Sequence, residues 1–474
     1  MDKLIYINGE WVGADLAKIV VRNPATGEAV GTVPRAGAEE TRRAIEAAHE
    51  AFPSWSRLTA YERSAYLERF HDLIVDSADE IARVLTLEMG KPLKEALGEV
   101  MYAASFVKWF AEEGKRVYAR GIPSHKAETR MLAIKQPVGV VAAITPWNFP
   151  AAMITRKLGP ALAAGCTIII KPAKQTPLTA IMLAELVEKA GIPKGVVNLV
   201  TGNAAEIGNE FMTNPMVRKV TFTGSTEIGK ELIRQSADHV KNLSLELGGH
   251  APIIVLDDAD LEKAVRGAVA SKFRNGGQTC ICGNRIYVQE KVYDAFIAKF
   301  AEAVRKLKVG NGMDPGVDIG PIIDRDGYEK IDAHVKDAVR LGASCVLGGE
   351  GRAENGAYFY PPTILKDVRP GMLIMREETF GPVAPVQKFS ADEEAARYAN
   401  DTPYGLAAYV FTENYSRGIK LVEALDFGII GWNDGLPSAA QAPFGGMKQS
   451  GIGREGGIEG IDAFLEVKYV SVGL

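Results

Sequence analysis

Hydrophobic and polar positions change their period several times along this chain, and each change marks an element. Leu4-Ile5-Tyr6-Ile7-Asn8-Gly9-Glu10-Trp11-Val12 alternates as a strand interrupted by Asn-Gly, the dipeptide of a tight hairpin. Asn23-Pro24-Ala25-Thr26-Gly27 reads as a second turn. From Ala38 to Phe52 the apolar residues Ala44, Ile45, Ala48 and Phe52 recur at helical spacing, and similar patterns predict helices over 59–77, 78–89 and 93–117. Residues 138–247 then become regular. Strands are expected over 138–144, 167–171, 196–200, 219–223 and 243–247, with helices over 151–164, 177–190, 204–213 and 226–237 between them. Strands alternating with helices through short Gly/Pro turns build a parallel sheet covered on both faces. A second alternating series follows Cys280, with strands near 285–289, 344–347, 383–389, 407–411 and 428–433, which predicts a second α/β domain. Two strand-like stretches, 120–135 and 464–470, have no partner close in sequence. They can pair with each other as a projecting arm used in oligomerisation, or remain a solvated hairpin.

Length and composition fit this picture and narrow it. A chain of 474 residues needs two or three cores. A net charge of −4 favours neither nucleic acid nor an anionic membrane as partner. Four cysteines without regular spacing argue for a reducing compartment rather than a disulfide framework. The N-terminus lacks the basic and apolar regions of a signal peptide. The longest apolar stretch, 161–170, is interrupted by Gly165 and Thr167 and is too short to cross a bilayer. A soluble, cytoplasmic protein is expected. Six histidines without metal-ligand spacing, and no Cys-x-x-Cys, give no expectation of a metal.

Ligands of parallel sheets bind at the carboxyl ends of the strands. Those ends read Thr145-Pro146-Trp147-Asn148, Lys171-Pro172-Ala173-Lys174, Thr201-Gly202, Thr223-Gly224-Ser225 and Glu246-Leu247-Gly248-Gly249. Phe222-Thr223-Gly224-Ser225-Thr226 is a strand, a glycine turn and a helix start, which aims backbone N–H groups at an anion or simply makes a tight turn. Lys171 can reach a ribose or phosphate, or be solvated. Glu246 suits a general base or a structural carboxylate. The amide of Asn148 can hold an oxyanion or shape its Pro-bounded loop. Two of the four cysteines lie in Asn275-Gly276-Gly277-Gln278-Thr279-Cys280-Ile281-Cys282. Cys280 follows a polar, Gly-rich turn whose N–H groups can face a thiolate and lower its pKa, so it is the candidate nucleophile.

Six segments carry a resemblance. Thr145-Pro146-Trp147-Asn148-Phe149-Pro150, Lys171-Pro172-Ala173, Phe222-Thr223-Gly224-Ser225, Leu245-Glu246-Leu247-Gly248-Gly249, Gly277-Gln278-Thr279-Cys280 and Glu378-Thr379-Phe380-Gly381-Pro382 follow the order and spacing of the aldehyde dehydrogenase superfamily. The likeness covers essentially the whole chain. It implies a Rossmann-type dinucleotide-binding domain (1–120 and 139–248), an α/β catalytic domain (249–440) and an oligomerisation arm (121–138 and 459–474) in a homodimer or homotetramer. The same resemblance implies that Cys280 attacks the aldehyde carbon, that Asn148 and the Cys280 N–H hold the oxyanion, and that Glu246 activates the water that hydrolyses the thioester. It places an NAD or NADP cofactor against Thr145, Pro146, Trp147, Lys171, Ala173, Lys174, Gly202, Gly224, Ser225, Ile228, Leu247, Glu378 and Phe380.

Within the superfamily the chain most resembles succinate-semialdehyde dehydrogenases, through the stretches 154–159, 244–252 and 444–451. That likeness implies a substrate carboxylate gripped by Arg156, Arg274 and Ser438. An ion pair ordering the cysteine loop is the alternative for Arg274, and a solvated helix position the alternative for Arg156. Many NAD-preferring relatives have a glutamate where this chain has Lys174. A lysine there does not repel a 2′-phosphate, which points to NADP or dual use. Cys282 can form a disulfide with Cys280 or be a spectator. The rival readings are a dehydrogenase for glutarate semialdehyde, lactaldehyde or glycolaldehyde, a Cys–His hydrolase using His250, and a non-catalytic binding protein descended from the enzyme.

Overall fold

The computed structural model, covering residues 1–474, contains two large sheets, a three-stranded sheet and two two-stranded ribbons. The first has eight strands. Val197–Leu199, Thr167–Lys171, Val140–Ile144, Val217–Thr223 and Asn242–Glu246 lie side by side and parallel. Its edges are antiparallel: the N-terminal hairpin Ile5–Ile7/Glu10–Val12 on one side and Gly451–Ile452 on the other. The strands carry nearly continuous apolar runs because both faces are covered. Val141, Ala143, Ile168 and Ile170 point into a core with the helices Leu93–Glu113, Ala152–Ala164 and Pro177–Lys189. Val140, Ala142 and Ile169 point the other way, onto Ala38–Arg57 and Ala204–Thr213. The period-two alternation of side chains thus feeds two cores from one strand.

The second sheet has seven strands in the order Ser344–Leu347, Thr363–Lys366, Val383–Phe389, Gly283–Gln289, Ala251–Val255, Ala407–Phe411 and Ile429–Trp432, all parallel except the first. Two of these were not expected from sequence. Thr363–Lys366 is four residues long and follows Pro361-Pro362, which reads as loop. Ala251–Val255 contains Pro252 and follows Asn242–Glu246 after only Leu247-Gly248-Gly249-His250, with no helix between. There the chain crosses directly from one sheet to the other.

The two unpartnered strand-like stretches do pair. Leu465–Gly473 runs antiparallel to Thr129–Pro137 over nine residues, from Leu465↔Pro137 to Gly473↔Thr129, with Arg120–Ile122 as the third strand. The helix expected to reach residue 117 ends at Glu113 and continues as a 3-10 turn over Gly114–Arg116. No helix is long and apolar enough to cross a membrane.

Candidate active site

Three chain crossings meet around Cys280. The cysteine loop leaves the helix Leu261–Phe273 through Asn275, Gly276 and Gly277, all at positive φ (53°, 61° and 73°), a run that glycine tolerates and asparagine allows. A Cβ on Gly277 would overlap the Gly381 carbonyl, so this glycine docks the loop onto the Glu378-Thr379-Phe380-Gly381 segment. A Cβ on Gly249 would overlap the Cys280 carbonyl, and the Gly249 N–H donates to Glu378 Oε1 at 3.0 Å. Gly249 is thus a contact glycine: the segment leaving the first sheet touches the Cys280 carbonyl and Glu378.

Cys280 is half-buried, and its backbone N–H finds no acceptor in the chain. Asn148 is buried in the loop between Val140–Ile144 and Ala152–Ala164. Its Nδ2 donates to the Gln278 carbonyl at 3.0 Å, leaving its second N–H free. The Asn148 carbonyl accepts from Lys91 Nζ (2.7 Å) and Asn275 Nδ2 (3.1 Å). Lys91 is itself paired with Glu99 at 2.5 Å, and Glu99 accepts from the N–H groups of Ala151 (2.9 Å) and Ala152 (3.3 Å) at the start of the next helix. Glu95 accepts from the Asn275 N–H at 2.8 Å. A buried ion pair thus holds the Asn148 loop, and hydrogen bonds of Asn148 and Glu95 clamp it to the cysteine loop. Lys91, Glu95, Glu99, Asn275 and Gln278 carry this clamp; the sequence points to the last two only as members of the cysteine loop, and to the first three not at all.

Glu246 ends its strand fully enclosed, with Oε2 unpartnered and Oε1 so close to Gly445 that a Cβ there would sit 2.9 Å away. Burial, reinforced by Glu455, raises its pKa well above the usual carboxylate range. Burial acts on Glu455 in the same direction, but the Lys157 and Arg156 charges prevail and hold it ionised. Lys157 contacts Glu455 Oε1, and Arg156 Nε lies 2.9 Å from Oε2. Arg156 is thus neither solvated nor free: its guanidinium also stacks 3.9 Å from the Phe444 ring centre, although Nε and Nη2 make no hydrogen bond. Arg274 is half-buried, 5.1 Å from the centre of the Phe149 ring, and makes no ion pair. Both arginines act electrostatically on the Cys280 thiol. Ser438 Oγ is buried without a partner.

The expected lowering of the Cys280 pKa by backbone N–H groups is not met. Burial pushes the thiol up to about 12; Glu378 and Glu246 add to the rise, and Arg156 and Arg274 oppose it. Three left-handed residues shape the loop, but desolvation outweighs the dipoles they orient. The thiol therefore needs a base.

Cys280, Asn148, Pro146, Trp147, Gly224, Ser225, Leu247, Glu378 and Phe380 line one cavity of about 480 Å³ between the two large sheets. Trp147 and Phe380 meet edge to face with ring centres 5.6 Å apart, Phe380 at a φ of 55°. Ser225 caps the helix Thr226–Ser236, accepting from the Ile228 N–H at 3.4 Å, so that helix start faces the cavity as an anion site. Burial raises the pKa of Glu378 to about 7. Thr145, Lys171, Ala173, Gly202 and Ile228 stand outside the cavity wall. Lys171 is buried with its ammonium on the Pro172 carbonyl (3.2 Å), and burial, then Lys174, lowers its pKa to about 8. Thr145 Oγ1 is buried and unpartnered. Gly202 has a packing role, since a Cβ there would overlap the Ala36 backbone. Lys174 is exposed on a cleft of about 290 Å³ that shares Ile323 with the main cavity. These groups fit a phosphorylated dinucleotide: a capped helix start, two lysines, a carboxylate of raised pKa and an aromatic pair.

A larger cavity, about 580 Å³, opens beside Arg285, but that guanidinium is spent on the carbonyls of His250, Tyr398 and Ala399. His250, the base a Cys–His hydrolase would need, is buried with Nε2 3.1 Å from the Ile374 carbonyl and does not line the cysteine cavity. Cys282 turns away from Cys280, its Sγ facing the Gly277 carbonyl (3.3 Å) and Lys272 (3.6 Å), and no disulfide is formed.

The profile of the aldehyde dehydrogenase family matches residues 11–470. The chain belongs to this family. It is 55% identical over 469 residues to the NADP-dependent succinate-semialdehyde dehydrogenase of Escherichia coli (strain K12), covering 99% of this chain and 97% of that one. A glutarate-semialdehyde dehydrogenase of Pseudomonas aeruginosa is also 55% identical, with the same coverage. Among solved structures, the succinate-semialdehyde dehydrogenase from Burkholderia pseudomallei superposes with a TM-score of 0.98 at 53% identity, covering 100% of this chain and 98% of that one. An NADP-dependent enzyme from E. coli gives 0.98 at 55% identity, with coverage of 100% and 98%. The aldehyde dehydrogenase fold expected from the six motifs is therefore the fold found. Of the functional groups missed from sequence, Glu455 had the clearest signal, because Gly453-Arg454-Glu455-Gly456-Gly457 is as polar and glycine-rich as the cysteine loop.

Proposed function

We propose that this aldehyde dehydrogenase oxidises succinate semialdehyde to succinate with NADP as the preferred acceptor. The observation that carries the reading is a half-buried thiol with two unspent N–H donors in its loops, together with an unpartnered carboxylate of raised pKa whose charge acts on that thiol. Cys280 bonds the aldehyde carbon, and its proton passes to Glu246, whose raised pKa narrows the gap between donor and acceptor. The carbonyl oxygen becomes an oxyanion held by the Cys280 N–H and the free N–H of Asn148. Bound NADP supplies the acceptor for the hydride that leaves this carbon, which leaves a thioester on Cys280. Glu246 releases that proton to solvent and, again a carboxylate, takes a proton from water as the water attacks the thioester carbon, then passes it to the departing Cys280 sulfur. Succinate departs and the thiol is restored.

Arg274, the cation near Cys280 without a carboxylate of its own, takes the substrate carboxylate with Ser438 Oγ, and Arg156 completes the positive end. Lys174 pairs with the 2′-phosphate, while Lys171 and Glu378 hold the riboses. The three-stranded arm joins copies of this cytoplasmic chain into a dimer or tetramer. Glutarate semialdehyde, one methylene longer, is the second reading, since a relative so named matches equally well. The test is NADPH formation with each semialdehyde, with the acid product identified by NMR. Cys280→Ala must abolish both, and a wild-type protein inactive on both contradicts the proposal.

A further inference from the structure

Beneath the nucleophile loop lies a cluster the reaction does not use. The helix Leu261–Phe273 turns Lys272 inward, where it is fully buried together with Cys282. Its ammonium has no carboxylate partner, which is unusual for a buried charge. Instead Nζ lies 2.8 Å from Asn284 Oδ1 and 3.6 Å from Cys282 Sγ. The cluster is overfull of donors. Lysine, thiol and amide share two acceptors, Asn284 Oδ1 and the Gly277 carbonyl, and Asn284 Nδ2 is left buried with none. Converting a donor to a linkage relieves that imbalance.

We propose that Lys272 and Cys282 form a covalent lysine–cysteine link on oxidation by hydrogen peroxide. Peroxide transfers one oxygen to the Cys282 thiol, giving the sulfenic acid and one water. The Lys272 amine, unprotonated, bonds the sulfur, and hydroxide leaves and takes the amine proton as a second water. Sulfur is oxidised by two electrons and peroxide is reduced by two; the product is an S–N bond. Burial pulls the Lys272 pKa down, which raises the share of free amine over that of an exposed lysine. A second peroxide can insert one oxygen to give S–O–N, with one further water. The neighbouring Cys280 is not among the groups in contact with Cys282 Sγ, so the adjacency of the two cysteines in sequence does not select a disulfide.

The test treats native wild-type protein and Cys280→Ala with peroxide, blocks thiols, digests with trypsin and maps the peptides by mass spectrometry. Residues 267–274, uncut at Lys272, should appear joined to residues 275–285. The joined mass should be about 2 Da below the sum, or about 14 Da above it for the S–O–N form, and dithiothreitol should release both. Lys272→Arg should reduce the link to background, because a guanidinium is not nucleophilic. Wild-type protein gives the answer even where a variant folds poorly. The proposal is overturned if wild type yields only a disulfide within 275–285 and Cys280→Ala yields no link. It is equally overturned if Cys282 proceeds to sulfinic acid while trypsin still cuts at Lys272.

Discussion

Gly249→Ala probes the contact on which the site is assembled. The added methyl overlaps the Cys280 carbonyl oxygen and cannot swing away, because Leu406 Cβ and Cδ2 stand 3.3 Å off. The Gly249 N–H is also held by Glu378, so the segment has little freedom to retreat. Relief requires the Cys280 backbone to move about 1 Å, and a displacement of that size at a reacting atom lowers kcat by about 10²-fold. That corresponds to about 2.7 kcal/mol on the barrier. The overpacking itself destabilises by about 1–3 kcal/mol. The assay is kcat at saturating aldehyde and NADP, on protein whose circular dichroism matches wild type. Gly98→Ala is the control: that glycine is exposed in the helix Leu93–Glu113 with nothing within 4 Å of a new Cβ. It should leave kcat unchanged and stabilise by up to about 1 kcal/mol. A Gly249→Ala enzyme within about threefold of wild-type kcat would refute the contact's role.

Three further outcomes follow from the same geometry. Alkylation of Cys280 by iodoacetamide, without cofactor, should quicken about tenfold per pH unit from pH 7 to 10, since only the thiolate reacts and its pKa is near 12; a plateau below pH 8 contradicts this. Glu455→Gln removes the charge that helps raise Glu246 and strands Lys157 and Arg156. The Glu246 pKa then falls, so the acid limb of the kcat profile moves to lower pH, and the protein loses about 3–5 kcal/mol; an unmoved limb refutes the coupling. Lys174→Glu places a carboxylate at the proposed 2′-phosphate position and should cut kcat/KM for NADP by about 10–100-fold while sparing NAD; an unchanged NADP/NAD ratio would show that Lys174 does not read the phosphate.

The regular half of the fold was legible because period and turn chemistry agree there: apolar runs of five residues separated by amphipathic helices allow little but a covered parallel sheet. Ala251–Val255 escaped because the chain enters a new sheet without the helix that the pattern leads one to expect, and that crossing is where Gly249 packs against the Cys280 carbonyl. The motif residues were legible as types but not as partners. Glu95 and Glu99, four apart on one helix, look like a solvated stripe; only tertiary packing shows them buried against Lys91 and the two loops. Arg156 looked like a surface or substrate residue, while its counter-charge, Glu455, lies 299 positions on, at a distance no local pattern reveals. The high pKa of Cys280 is hidden for a related reason: the dipoles of a glycine turn are visible in sequence, and burial is not.

The central claim is that one thiol site reads a substrate carboxylate. The most direct measurement is kcat/KM for succinate semialdehyde against butanal, which has the same carbon skeleton length without the anion, in wild type and in Arg274→Ala. A charge-assisted grip of about 2–3 kcal/mol predicts a wild-type preference of about 30–150-fold. That preference should collapse toward unity in Arg274→Ala, chiefly through KM for the semialdehyde, with butanal little changed. Equal wild-type efficiencies for the two aldehydes, or equal losses on both in the variant, would contradict it.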